Sequence, residues 1–193
     1  MKHVSLFAFL ILFLIISTIP AWAQDEDLET PSNTEESLIQ VKEIAPYSYC
    51  AIVMTGSYDK HSEAFQTLYE QAQYQYIDAD QIPFGIYWND PSNVPIEELS
   101  WELGFAVPDT QKVEEPLVLK KWNFPLVVSR VYEGAYDDNM NAVYGEIFGW
   151  IGQNNYVPAG PMQQKFLTLP QQDDEGHWGG TIEIIIPVEK AEK

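Results

Sequence analysis

The run that most constrains this chain is Thr181–Val188, TIEIIIPV, near the C-terminus. Its β-branched residues demand a strand. Side chains alternate faces along a strand, so Ile182, Ile184 and Ile186 share one side while Thr181, Glu183 and Ile185 share the other. The isoleucine side has to be covered by another element. Glu183 projects from the opposite side next to Ile185, an apolar neighbour uncommon for an acid on an open sheet face. Two readings stay open there: a solvated carboxylate, or the floor of a cavity.

Upstream, the chain states one pattern twice. An apolar strand over Tyr49–Thr55 ends at Gly56-Ser57-Tyr58-Asp59. A helix follows over 62–75 with Phe65, Leu68 and Ala72 along one stripe, then strands over Phe84–Trp88 and Trp101–Val107, the second stopped by Pro108. The second pass opens with Leu126–Tyr132 and ends at Gly134-Ala135-Tyr136-Asp137. Met140, Val143, Tyr144, Ile147, Phe148 and Ile151 then recur at helical spacing, which makes Phe148 a packing residue along with Ile151. A strand over Gln164–Leu169, stopped by Pro170, precedes the C-terminal run. Tyr58 corresponds to Tyr136, Pro91 to Pro170 and Glu102 to Glu183, with a drift of three residues. Repetition at this period signals a duplicated supersecondary unit. The expected fold is α+β: duplicated strand-helix-strand-strand units with pseudo-two-fold symmetry, repeat 1 over about 46–110 and repeat 2 over about 122–190. Both helices then cover one side, and a ligand groove is left on the other.

The first 23 residues read differently. Lys2 and His3 precede an apolar Leu6–Ile19, and Ala21-Trp22-Ala23 fits a cleavage site, so residues 1–23 are expected to be a secretory signal peptide. Residues 24–44 carry Asp25, Glu26, Asp27, Glu29, Glu35, Glu36 and Glu43, the composition of an acidic disordered leader. The folded domain is placed over 45–190. Loss of Lys2 takes the formal charge from −19 to −20. Such a surface repels phosphate backbones, which excludes nucleic acid as a partner, and it steers cations toward the protein. After removal of the apolar segment no stable membrane insertion is expected, and the location is periplasmic or extracellular. Cys50 is the only cysteine and sits in an apolar strand, where it reads as a small buried filler.

Glu102 has the phase of Glu183 within its own repeat, with Gly104 and Ala106 on its side; small residues there leave room for a ligand. Taken alone, either Glu reads more readily as an ordinary residue of an exposed sheet face, and the matching phase in both repeats narrows that preference for Glu183. The ligand-binding candidates are Glu183, Glu102, Ile185, Tyr49, Tyr58, Tyr87, Tyr136 and Phe166. Aromatic walls around one buried carboxylate hold flat or cationic organic molecules, whereas core packing is the plain alternative for each aromatic. His61 and His177 have no metal-ligand spacing, and neither a metal nor a cofactor is expected.

At GAYDD with its helix to Trp150, at YVPAGP from Tyr156 to Pro161, at the strand stopped by Pro170 and at TIEIIIPV, the chain resembles the GyrI-like small-molecule-binding domains, found also as effector-binding domains of AraC- and MerR-type regulators. The resemblance covers about Ile44 to Glu189. It implies a ligand groove between two halves, with Glu183 at its floor and cationic, aromatic drugs as ligands. Members resembling it hydrolyse cyclopropane-bearing toxins with such a Glu and pocket aromatics. Haem-binding SOUL proteins share the architecture, but no residue here argues for an axial ligand. An export segment makes transcription control and inhibition of cytoplasmic gyrase unexpected. The leading expectation is an exported binding protein for a hydrophobic, cationic or aromatic molecule anchored on Glu183. The alternatives are a hydrolase with Glu183 as general acid or base, and an envelope interaction protein whose groove its own side chains fill.

Overall fold

The computed structural model describes residues 39–192 apart from Asp80 and Asp138, so the expected signal peptide and most of the acidic leader lie outside the described residues. Ten strands and two helices run in the order β1 (Gln40–Glu43), β2 (Tyr47–Thr55), α1 (His61–Tyr74), β3 (Phe84–Tyr87), β4 (Ser100–Val107), β5 (Val118–Trp122), β6 (Leu126–Ala135), α2 (Asn139–Gln153), β7 (Tyr156–Pro158), β8 (Met162–Phe166), β9 (Gln171–Gln172) and β10 (Trp178–Lys190). The fold is α+β, with a mostly antiparallel sheet and few helices.

The main strands are ordered β1-β6-β10-β8-β3-β4-β2-β5. Read inward from each end, both halves give an outer strand, the strand before a helix, the last strand of the half, and a central strand. The halves meet where β3 pairs with β8, Ile86 opposite Gln163 and Phe84 opposite Lys165. β10 lies between β6 and β8, with Glu183 opposite Val131 on one side and Lys165 on the other.

One face is covered by the helices. Trp101, Leu103 and Phe105 of β4 pack with Cys50, Ile52 and the α1 residues Ala64, Leu68 and Ala72. Ile182, Ile184 and Ile186 pack with Met140, Val143, Ile147 and Ile151 of α2. The alternating isoleucines therefore point as the sequence demands. Phe148 does not: it is 46% exposed, because it sits one position off the stripe that α2 turns to the sheet.

The opposite face has its own core, made of Tyr49, Ala51, Phe84, Ile86, Trp122, Val127 and Ile185, with Ile44, Tyr47 and Phe124 packed against it. Trp122 and Val127 come from β5 and β6, far apart in the strand order but joined by only Asn123–Pro125. The sheet thus curls around this face. β1 also revises the sequence reading, since Gln40–Glu43 belongs to the segment read as leader yet pairs with β6 from Gln40↔Ser129 to Glu43↔Leu126.

Candidate functional site

The two outermost strands explain the chemistry of the curled face. β5 runs beside β2 with Lys120 opposite Tyr49, which sets the Lys120 side chain on the same face as Glu102. Its Nζ donates to Glu102 Oε1 at 2.5 Å. Trp88 Nε1 donates to the same oxygen at 2.7 Å, and the Tyr49 hydroxyl donates to Oε2 at 3.1 Å. Glu102 is 1% exposed, so it is a buried acid whose charge and lone pairs are met from within. Burial, followed by the charge of Glu102, pushes the Tyr49 hydroxyl far above its ordinary range, so this hydroxyl stays a donor.

At the other end, β1 places Lys42 opposite Val127, and its Nζ donates to Glu183 Oε1 at 2.6 Å. That is a single contact. The Glu183 side chain is 16% exposed and that of Lys42 is 41% exposed. Each glutamate of the curled face therefore carries a lysine supplied by an outer strand, but Glu102 has three donors while the part-exposed Glu183 has one. Lys165, directly across β8 from Glu183, makes no ion pair among the described residues.

The same face carries a cluster of aromatic rings, Phe84 on β3 between the two glutamate strands and Tyr47, Tyr49 and Trp122 on β2 and β5. Phe84 meets Tyr49 edge-on at 5.5 Å and Tyr47 at 6.1 Å, and Tyr47 stacks on Trp122 at 6.3 Å. Gln163 Nε2 donates to the Tyr47 hydroxyl at 2.7 Å, tying β8 to β2 across this face. The Trp122 indole N–H is buried with no acceptor. A buried donor left unpaired costs roughly 1–3 kcal/mol, so this is a place where an incoming acceptor gains.

The sequence candidates divide between two faces. Glu183, Glu102, Tyr49 and Ile185 share the curled face, as expected. Tyr58, Tyr87, Tyr136 and Phe166 do not join them; they lie on the helix side, packed in the two helix-covered cores. For Tyr87 the reason is local, since all four β3 residues are buried and the strand offers no polar alternation from which to read a face. On that side His61 Nδ1 faces the Tyr58 carbonyl, which only accepts, so Nδ1 carries the proton. Nε2 then accepts from the Tyr87 hydroxyl at 3.0 Å. His61 stacks on Trp101 at 4.3 Å, and burial holds its imidazole below the usual histidine range. The Tyr136 hydroxyl is buried without a partner, and burial pushes it up to about 12.

Gly104 is also corrected. A side chain there would meet the Cys50 carbonyl at 2.4 Å, so the small residue admits β2, not a ligand. Sequence reasoning missed Lys42, Lys120, Trp88, Tyr47 and Trp122. Only the placement of a lysine shortly before each strand that leads into a helix could have signalled the caps. Among the described residues no group of His, Cys, Asp or Glu could hold a metal ion.

A curled antiparallel sheet with helices on one face and two lysine-paired glutamates beside an aromatic core on the other defines the α+β class of this domain. The chain matches the GyrI-like small molecule binding domain over residues 37–189 and belongs to that family. Its fold is similar to the C-terminal domain of EcmrR, with a TM-score of 0.64 at 18% identity over 80% of this chain and 99% of that one. It is also similar to EcmrR in its DNA complex, with a TM-score of 0.63 at 19% identity over 80% of this chain and 58% of that one. A third similar structure is a hydrolase encoded by lin2189 from Listeria innocua, with a TM-score of 0.59 at 11% identity over 79% and 92% of the two chains. No curated protein matches this chain.

Proposed function

We propose that this chain is an exported small-molecule-binding protein whose ligand is a hydrophobic aromatic cation, held on the curled face with Glu183 as its polar anchor. One observation carries the reading. Of the two carboxylates on the curled face, Glu183 alone has a single protein partner and a part-exposed side chain, two residues along β10 from Ile185 of the aromatic-lined core. Ring stacking with charge neutralisation is the chemistry such a wall supplies. Export rests on Lys2, the apolar Leu6–Ile19 and Ala21-Trp22-Ala23.

Thermal-shift measurements with matched aromatic cations, neutral compounds and acids test this. The cations are expected to raise the melting temperature and Glu183→Gln to abolish the rise; no cation stabilising the wild type would sink the reading. Native mass spectrometry of protein purified from its host should show a retained small molecule. A second reading has its own support: Tyr47, Tyr49, Phe84, Ile86 and Trp122 already fill the face, as an interaction protein with a self-filled groove requires. Failure of every ligand class in the same assay favours it. Addition of one water across the ring of an electrophilic cyclopropane, read as a mass gain and abolished by Glu183→Gln, would instead mark a hydrolase.

A further inference from the structure

We infer that Lys42 is a tethered competitor for the ligand's cation, so that ligand binding expels its ammonium and loosens β1. The inference rests on the small-molecule reading above and adds how that site is regulated.

The two glutamate–lysine pairs provide an internal comparison. Both lysines ride on outer strands, β1 and β5, and both reach the last strand of a repeat. Lys120 sits over a carboxylate that is also held by Trp88 and Tyr49, so its departure would still leave Glu102 with two donors. Lys42 is the only described group that bonds Glu183. It is the better exposed of the two lysines, and its glutamate is the better exposed of the two acids. The first pair is built to stay and the second is built to exchange.

The strand that carries Lys42 has little else to hold it. β1 is four residues long and pairs on one side only, with β6. Val41 points outward, exposed. The flanks are better fixed: Ile39 packs on the α2 core, and Ile44 packs on the curled face with its N–H bonded to the Pro125 carbonyl at 2.8 Å. An ammonium swinging off Glu183 therefore frees a short edge segment between two anchors, the kind of opening that costs least in a fold. Other charges face the acid too. Lys165 lies across β8, and Glu133 lies two residues from Val131 along β6 on the same face. Neither is bonded to Glu183, so the exchange is between Lys42 and the incoming cation.

The test uses ethidium, a flat aromatic cation whose fluorescence reports desolvation, with the full chain. Lys42→Met should bind ethidium roughly two- to fivefold more tightly than wild type, the worth of one part-exposed ion pair, and Lys42→Arg should not. Hydrogen exchange across Gln40–Glu43 should quicken when wild type binds ethidium, while Lys42→Met should show little further gain. Independently of any ligand, Glu183→Gln should quicken exchange in the same segment. Ethidium binding that Lys42→Met leaves unchanged, with β1 exchange unmoved, overturns the competitor and leaves the ligand reading intact. Absence of binding by either protein overturns both. Unaltered β1 exchange in Glu183→Gln overturns the latch whatever the ligand result.

Discussion

Replacing Glu102 by glutamine should destabilise the protein far more than the same change at Glu183. The carboxylate accepts from Lys120 at 2.5 Å, Trp88 at 2.7 Å and Tyr49 at 3.1 Å. A glutamine offers one acceptor oxygen and turns an N–H₂ toward whatever donors remain. Leaving the buried Tyr49 hydroxyl unpaired costs about 1–3 kcal/mol. With the amide oxygen at the Oε1 position Trp88 and Lys120 keep an acceptor, but part-exposed Lys120 loses its charge partner, discounted to about 0.5–1 kcal/mol. The total is about 3 kcal/mol. At ~2–4 °C per kcal/mol for a domain of this size, the melting temperature should fall by roughly 6–12 °C. Glu183→Gln gives up one part-exposed pair, about 0.5–1 kcal/mol, and roughly 1–4 °C. Differential scanning calorimetry of the two variants settles it. Equal losses would refute the division between a structural and an exchangeable carboxylate.

Two further changes probe the frame around the site. His61 has a folded-state pKa held below its unfolded value of about 6.5 by burial, so its contribution is complete above that value and lost as pH falls toward and through the lowered one. Urea midpoints of wild type should therefore drop between pH 7.5 and 5.5 more steeply than those of His61→Gln; parallel slopes would contradict the buried neutral imidazole. Gly104→Ala puts a methyl 2.4 Å from the Cys50 carbonyl, so it should part β2 from β4 and cost about 1–3 kcal/mol in urea melts. A neutral effect would mean that the space beside Glu102 is open after all.

Much of this was legible in the sequence, for reasons that differ by residue. The isoleucines of β10 alternate against α2 because one of its faces is wholly apolar, and Glu102 and Glu183 share a phase because each strand repeats that alternation. Tyr87 lies on the other face because β3 is buried on both sides and its parity carries no signal, and Phe166 lies opposite Ile182 and so shares the isoleucine side. Lys42 and Lys120 were hidden for another reason. Each lies in a short outer strand whose pairing is fixed by a distant partner, and four residues amid acids look like tether until β6 is seen beside them. Long-range charge pairing has no local pattern to read.

In the proposed function Glu183 is the place where a ligand's charge is met. Isothermal titration of ethidium into wild type and Glu183→Gln measures that directly. A hydrogen-bonded charge contributes about 1.5–3 kcal/mol, so the variant should bind at least roughly tenfold more weakly. Equal dissociation constants for the two proteins would contradict it.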